Sequence, residues 1–207
     1  MLDPLMRKMI DPPLNWAGQQ LAQRQIKATH LTVFGFICAL LAFISIWLGG
    51  FLLGLAFLIL NRLADGLDGA VARASGVTDL GGFLDITLDF IAYSAIVLAF
   101  AFYQPQQNAL MAALLLFAFM GTASSFLTFA IFAQKHGLET QQRGKKSLYY
   151  LGGLAEGTET FLFLASFCLF PAYFPYLAGA FTVICLITTS SRIAIAVCRS
   201  SQKPAAR

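Results

Sequence analysis

Charge is scarce in this chain: Asp, Glu, Lys and Arg make up 12% of its 207 residues, and long runs contain none of them. A soluble domain needs polar residues spread along its whole length to solvate a surface, so that class is excluded. Cysteine is sparse as well. Cys38, Cys168, Cys185 and Cys198 are scattered without CxxC spacing, which speaks against a zinc site or a disulfide framework and for small buried hydrophobes. Histidine is limited to His30 and His136. They are far apart in sequence, so each reads as an interfacial polar residue rather than a metal ligand. About thirty fairly polar residues precede the first apolar run and no small-residue cleavage pattern follows it, so no cleaved signal peptide is expected.

What the chain has in abundance is apolar length. It is 58% hydrophobic with a mean hydropathy of +0.72, which predicts an all-α, polytopic membrane protein of one domain. Six spans are expected: 31–48, 51–74, 81–103, 108–133, 151–170 and 176–197. Each has enough residues to cross a hydrocarbon core of roughly 30 Å at about 1.5 Å per residue. The domain runs from 31 to 198, with a short tail at 199–207. Residues 1–30 form an amphipathic lead-in, with Leu14, Ala17, Leu21 and Ala22 on one face and Gln19, Gln20, Gln23 and Arg24 opposite. This pattern fits a helix lying along the membrane interface, Trp16 at headgroup depth. Gly50-x-x-x-Gly54 and Gly153-x-x-x-Gly157 permit close helix approach and leave a homodimer open.

The net charge of +4 is a topology signal rather than a nucleic-acid footprint. The basic residues fall in the N-terminal arm (Arg7, Lys8, Arg24, Lys27), at Arg62 and Arg73, in one loop (Lys135, Arg143, Lys145, Lys146) and toward the C-terminus (Arg192, Arg199, Lys203, Arg207). With the spans alternating between them, all lie on one side of the bilayer, and the opposite connections carry none. By the positive-inside rule both termini and the polar segment face the cytoplasm, as in a multi-pass protein of an inner (plasma) membrane.

That polar segment is the informative one. Asp65 and Asp68 are three residues apart, and Asp85 and Asp89 are four apart, so each pair lies on one face of its own helix. The short loop between them makes the two helices antiparallel neighbours. Carboxylates in a membrane helix are costly and mark function, and four of them converging need cations between them. Oxygen-only ligation points to Mg²⁺ or Mn²⁺, and two such ions suit phosphoryl transfer. Asp65, Asp68, Gly69, Ala72 and Gly76 share one narrow stripe. A stripe with almost no side chain lets a bulky charged ligand approach the backbone, and Arg73 beside it can fork onto a phosphate. Asn61, one turn earlier, serves either ligand contact or packing. Asp79, in the loop, reads as a helix cap or a solvated residue.

The run Asp65-x-x-Asp68-Gly69-x-x-Ala72-Arg73, followed by Gly81-x-x-x-Asp85-x-x-x-Asp89, resembles the signature of the CDP-alcohol phosphotransferases (the CDP-alcohol phosphatidyltransferase family). These are membrane enzymes of six transmembrane helices. The resemblance implies that Asp65, Asp68, Asp85 and Asp89 hold two divalent cations, with Asp89 also the general base on the acceptor hydroxyl. It implies a CDP pocket formed by Asp68, Gly69, Ala72, Arg73 and Gly81. Two departures are visible. The seven residues 74–80 make the connection one shorter than the usual pattern, a change the loop absorbs. Ala28-Thr29 stands where the family often has Pro-Asn, which weakens a nucleotide-binding role for that turn.

A second polar cluster opens the fifth span. Glu156 and Glu159 share a face, and the basic loop with Arg143, Lys145 and Lys146 precedes them. They read either as an acceptor pocket or as structural glutamates satisfied by Arg192, Ser190 or backbone. A phosphorylated acceptor would want the basic group; a neutral or cationic one would want the glutamates. The resemblance implies transfer of a substituted phosphate, from CDP-diacylglycerol, to an alcohol acceptor with release of CMP in phospholipid biosynthesis. Transfer from a soluble CDP-alcohol to a lipid acceptor is the alternative. From a different class, a cation transporter or channel would need polar residues continuing to the far side. The runs 52–60 and 92–101 are apolar instead.

Overall fold

The computed structural model describes residues 3–135 and 154–201, which form seven α-helices and no strand. They are α1 (Asp3–Gln23), α2 (Ala28–Trp47), α3 (Phe51–Ser75), α4 (Asp79–Tyr103), α5 (Pro105–Lys135), α6 (Gly157–Leu169) and α7 (Phe174–Ser201), with a 3₁₀ turn at Pro171–Tyr173 between the last two. Four stretches, Ala28–Trp47, Asp79–Tyr103, Pro105–Phe132 and Pro171–Cys198, are long and apolar enough to cross a membrane. Of the six expected spans, then, two differ. α3 has the length, at 25 residues, but its second half carries the charged motif. α6 has only 13 residues, about 20 Å of helix. The chain bends before Gly157: the backbone N–H groups of Leu154 and Ala155 both donate to Thr188 Oγ1 of α7, at 3.1 and 3.0 Å.

Without a strong hydrophobic force between helices in lipid, association depends on close packing, which small residues allow. α2 buries Gly35, Cys38, Ala39, Ala42, Ser45 and Ile46 along one side and packs with it against both α3 and α4. A methyl group at Gly35 would stand 3.2 Å from Ala64 Cβ, and one at Gly54 only 2.5 Å from Ile46 Cγ1. The Gly54 half of the first GxxxG pattern is therefore used within the chain, against α2; Gly153 lies outside the described residues. Asn61 of α3 is buried and donates from Nδ2 to Gly35 O at 3.0 Å.

The core sits away from the acidic segment. Phe100, Phe167, Phe174 and Phe181 are fully buried. Phe100 stacks on Phe174 with centroids 4.7 Å apart and on Phe51 at 5.8 Å, while Phe163 stacks on Phe181 at 4.4 Å. The tight α4–α5 turn is held by Asn108, whose Nδ2 donates to Phe100 O at 2.9 Å, and Pro105 begins α5 where no N–H is needed. Cys38, Cys168 and Cys185 are buried and all four cysteines are free thiols.

α1 packs against the bundle through α3. Its polar face is exposed and Trp16 is 68% exposed, but the opposite face is laid on α3. Gly18 is the reason: a Cβ there would stand 2.6 Å from Ala70 Cβ, so only glycine lets the two helices cross so closely. Leu14 covers Gly66 beside it. α1 ends in a Schellman motif, with Ile26 N donating to Leu21 O and Gln25 N to Ala22 O, and Gln25 in the left-handed region at φ 59°.

Candidate active site

The second half of α3 and the first turns of α4 face each other, as the carboxylate spacing predicts. Oxygens of Asp65, Asp68 and Asp85 all lie within 4.8 Å of one another. Asp68 is the deepest, 5% exposed, and its Oδ2 is buried with no hydrogen-bond partner among the described residues. A buried carboxylate oxygen without a donor bears its full desolvation cost. Three converging oxygens with one unsatisfied fit a hard divalent cation, for which oxygen-only donors are the suitable set.

Asp89 lines the same pocket but stands outside that trio. Its Oδ2 accepts a hydrogen bond from the Tyr93 hydroxyl, one helical turn deeper, at 3.2 Å. α2 closes the pocket with Thr32, Gly35 and Phe36. Asn61 lines it and ties it to α2, the packing role of its two readings. Below Tyr93 the polar lining stops: Ile96, Val97 and Phe100 are fully buried. Among the described residues, an apolar layer lies under this end of the pocket.

Of the small-residue stripe, Gly69 and Ala72 lie on α3, while Gly76 falls just past its end as the C-cap, at φ 108°. Gly69 and Ala72 are half-buried, and the Arg73 guanidinium folds back along its own helix so that a Cβ at Gly69 would be 3.4 Å from Arg73 Nη1. Gly81 plays a local part at the start of α4. Its N–H donates to Thr78 Oγ1 at 3.1 Å. Thr78 is therefore the N-cap; Asp79 is the first helical residue and exposed, so of its two readings the solvated one holds, and its charge favours the helix N-terminus.

Two residues were not assigned a role from sequence. Arg62, on α3, forms an ion pair with Asp65 three residues on. Its Nη2 also lies 3.1 Å from where a Cβ on Gly157 would be, so Arg62 joins the aspartates to the start of α6. Tyr93 is the other. Both signals were local, at i+3 and i+4 from an aspartate. Glu156 is buried at the N-cap of α6 and Glu159 is half-buried in its first turn. The second polar cluster is thus adjacent to the first, with Arg62 between them. Arg192 of α7 is buried, donates to Thr122 O at 3.0 Å and lies 5.6 Å from the Phe126 ring centre. Arg143, Lys145 and Lys146 lie outside the described residues.

The CDP-alcohol phosphatidyltransferase family profile matches residues 26–191, a stretch that includes every aspartate of the site. The chain belongs to the CDP-alcohol phosphatidyltransferase family. It is 47% identical over 193 residues to the inner membrane protein YnjF of Escherichia coli K12, covering 93% of this chain and 94% of that one. It is 37% identical over 97 residues to an archaetidylinositol phosphate synthase of Pyrococcus horikoshii, 46% of this chain and 52% of the relative. The fold is similar to that of the Mycobacterium tuberculosis phosphatidylinositol phosphate synthase PgsA1, solved with CDP-DAG bound. The TM-score is 0.70 at 19% identity, covering 88% of this chain and 92% of the other. A member of this family is a multi-pass membrane transferase of substituted phosphate groups, and its aspartate cluster can hold a divalent metal ion.

Proposed function

We propose that the chain transfers the phosphatidyl group of CDP-diacylglycerol to an alcohol acceptor, releasing CMP, at the cytoplasmic face of an inner (plasma) membrane. The observation that carries this reading is the meeting of Asp65, Asp68 and Asp85 within 4.8 Å, at the side of a glycine stripe with a guanidinium folded over it. A pocket in a membrane bundle with an apolar layer under it suits a lipid donor whose diphosphate sits at the carboxylates while its acyl chains stay in the bilayer. Both termini lie on the same cytoplasmic side in this reading.

The acceptor hydroxyl oxygen attacks the β-phosphorus of the donor. The bond from that phosphorus to the oxygen bridging it to the α-phosphorus breaks, and CMP departs with the bridging oxygen. The hydroxyl proton passes to the Asp89 carboxylate, which Tyr93 holds in place. Asp65, Asp68 and Asp85, with Asp89 at the edge of the site, would hold two divalent cations, Mg²⁺ or Mn²⁺. When bound these neutralise charge on the diphosphate. Gly69, Ala72 and Gly81 leave room for the CDP group beside Asp68, and Arg73 forks onto a phosphate oxygen.

The acceptor binds at the start of α6, where Glu156 and Glu159 meet hydroxyl or cationic groups, with Arg143, Lys145 and Lys146 serving an acceptor that carries a phosphate. What supports this placement is Arg62, which contacts both the aspartate pocket and Gly157. The apolar core beneath the pocket speaks against a cation channel. The test is incubation of the purified protein with CDP-diacylglycerol, Mg²⁺ or Mn²⁺ and a panel of alcohols, following CMP release. CMP release that instead requires a soluble CDP-alcohol and a lipid hydroxyl would overturn the donor assignment.

A further inference from the structure

Arg73 lies at the exposed end of α3, where a long flexible side chain has many rotamers and nothing on its own helix to select among them. It is nevertheless held in one place. Asn15 Oδ1, on α1, accepts from Arg73 Nε at 3.2 Å and from Nη2 at 2.8 Å. This fork presses the guanidinium back along α3, so that Nη1 lies over Gly69. The position of Asn15 is itself set by packing. Gly18, three residues on along the same side of α1, is buried against Ala70, and Leu14 covers Gly66. Asn15 thus reaches the last turn of α3 because two close contacts hold α1 across that helix.

We propose that Asn15 is a positioning residue for the nucleotide-diphosphate pocket: α1 holds the Arg73 guanidinium over the glycine stripe before the donor arrives. The proposal rests on the reading of Arg73 as a donor-binding group. Two of the five guanidinium N–H donors face Asn15 and the Nη1 edge faces the stripe, so the fork leaves donors for a phosphate oxygen. Ordering a side chain in advance lowers the entropy lost on binding. Removing Asn15 therefore weakens donor binding while leaving the chemical step and acceptor binding alone.

The experiment uses the full chain, purified in detergent, with two readouts: the equilibrium affinity for CDP in the presence of Mg²⁺, and donor KM, acceptor KM and kcat with CDP-diacylglycerol. Asn15→Ala is expected to weaken CDP affinity and raise donor KM about three- to tenfold, with kcat and acceptor KM within about twofold. Asn15→Asp keeps the accepting oxygen and should restore both values to near wild type. Gln19→Ala, on the exposed face of the same helix, should change neither, and all variants should melt within a few degrees of wild type. In an Arg73→Ala background, Asn15→Ala should add nothing further. If Arg73→Ala weakens CDP binding and Asn15→Ala does not, the positioning role is overturned and the donor-binding role of Arg73 stands. An Arg73→Ala variant with unchanged CDP affinity overturns both. Equal loss in Asn15→Ala, Asn15→Asp and Gln19→Ala, with lowered melting, would mean α1 acts through stability alone and likewise overturns the proposal.

Discussion

The Tyr93 hydroxyl donates to Asp89 Oδ2 at 3.2 Å from one turn deeper in α4, at the level where the polar pocket gives way to Ile96, Val97 and Phe100. This bond marks the floor of the site. It fixes one carboxylate oxygen of a residue that lines the pocket and that we propose as the general base.

Replacing Asp89 with Asn should therefore lower kcat by about 10²–10⁴-fold while CDP binding stays measurable. Tyr93→Phe, which removes only the orienting bond, should lower kcat by about tenfold with donor KM little changed. Steady-state kinetics on both variants checks this. Near-normal turnover in Asp89→Asn would demote that residue to a spectator.

Activity should depend on a divalent cation, and Asp65→Asn, Asp68→Asn or Asp85→Asn should each abolish it while the protein still inserts and purifies. The reason is geometric: the three oxygens lie within 4.8 Å of one another, so in the proposed reading each substitution removes one ligand. Metal titration monitored by CMP release is the measurement. Full turnover in excess chelator would contradict the metal assignment.

Glu156→Gln with Glu159→Gln should raise acceptor KM far more than donor KM, because Glu156 caps α6 and Glu159 lies in its first turn, across Arg62 from the small-residue stripe. Lys145→Ala with Lys146→Ala should do the same only for a phosphorylated acceptor, with an effect that fades at high salt. Kinetics with donor and acceptor varied separately distinguishes these cases. Indifference to both double substitutions would make the cluster structural.

Gly54→Ala should destabilise the bundle by about 1–3 kcal/mol, since the new methyl would meet Ile46 Cγ1 at 2.5 Å. Ile46→Ala, which removes that Cγ1, should cost less in the Gly54→Ala background than in the wild type. Thermal melts of the single and double variants test it; additive losses would show that the two residues do not share this contact.

Much of this was legible in the amino-acid order alone, wherever helix geometry converts spacing into position. Asp65 with Asp68, and Asp85 with Asp89, had to share faces because 3.6 residues make a turn, and the short link at 76–78 had to bring those faces together. The small-residue stripe and the apolar runs beneath the site followed by the same reasoning. The Arg62–Asp65 and Tyr93–Asp89 pairs obey that periodicity too and were open to the same reading. Other features depend on where separate helices cross, which no local period encodes. Gly18 meets Ala70 only because α1 lies across α3, and that crossing delivers Asn15 to Arg73. Thr188 on another helix takes up the N–H groups of Leu154 and Ala155 in a bend, and α6 begins only after it, at Gly157. Close packing of small residues decided these contacts, and it acts between segments far apart in the chain.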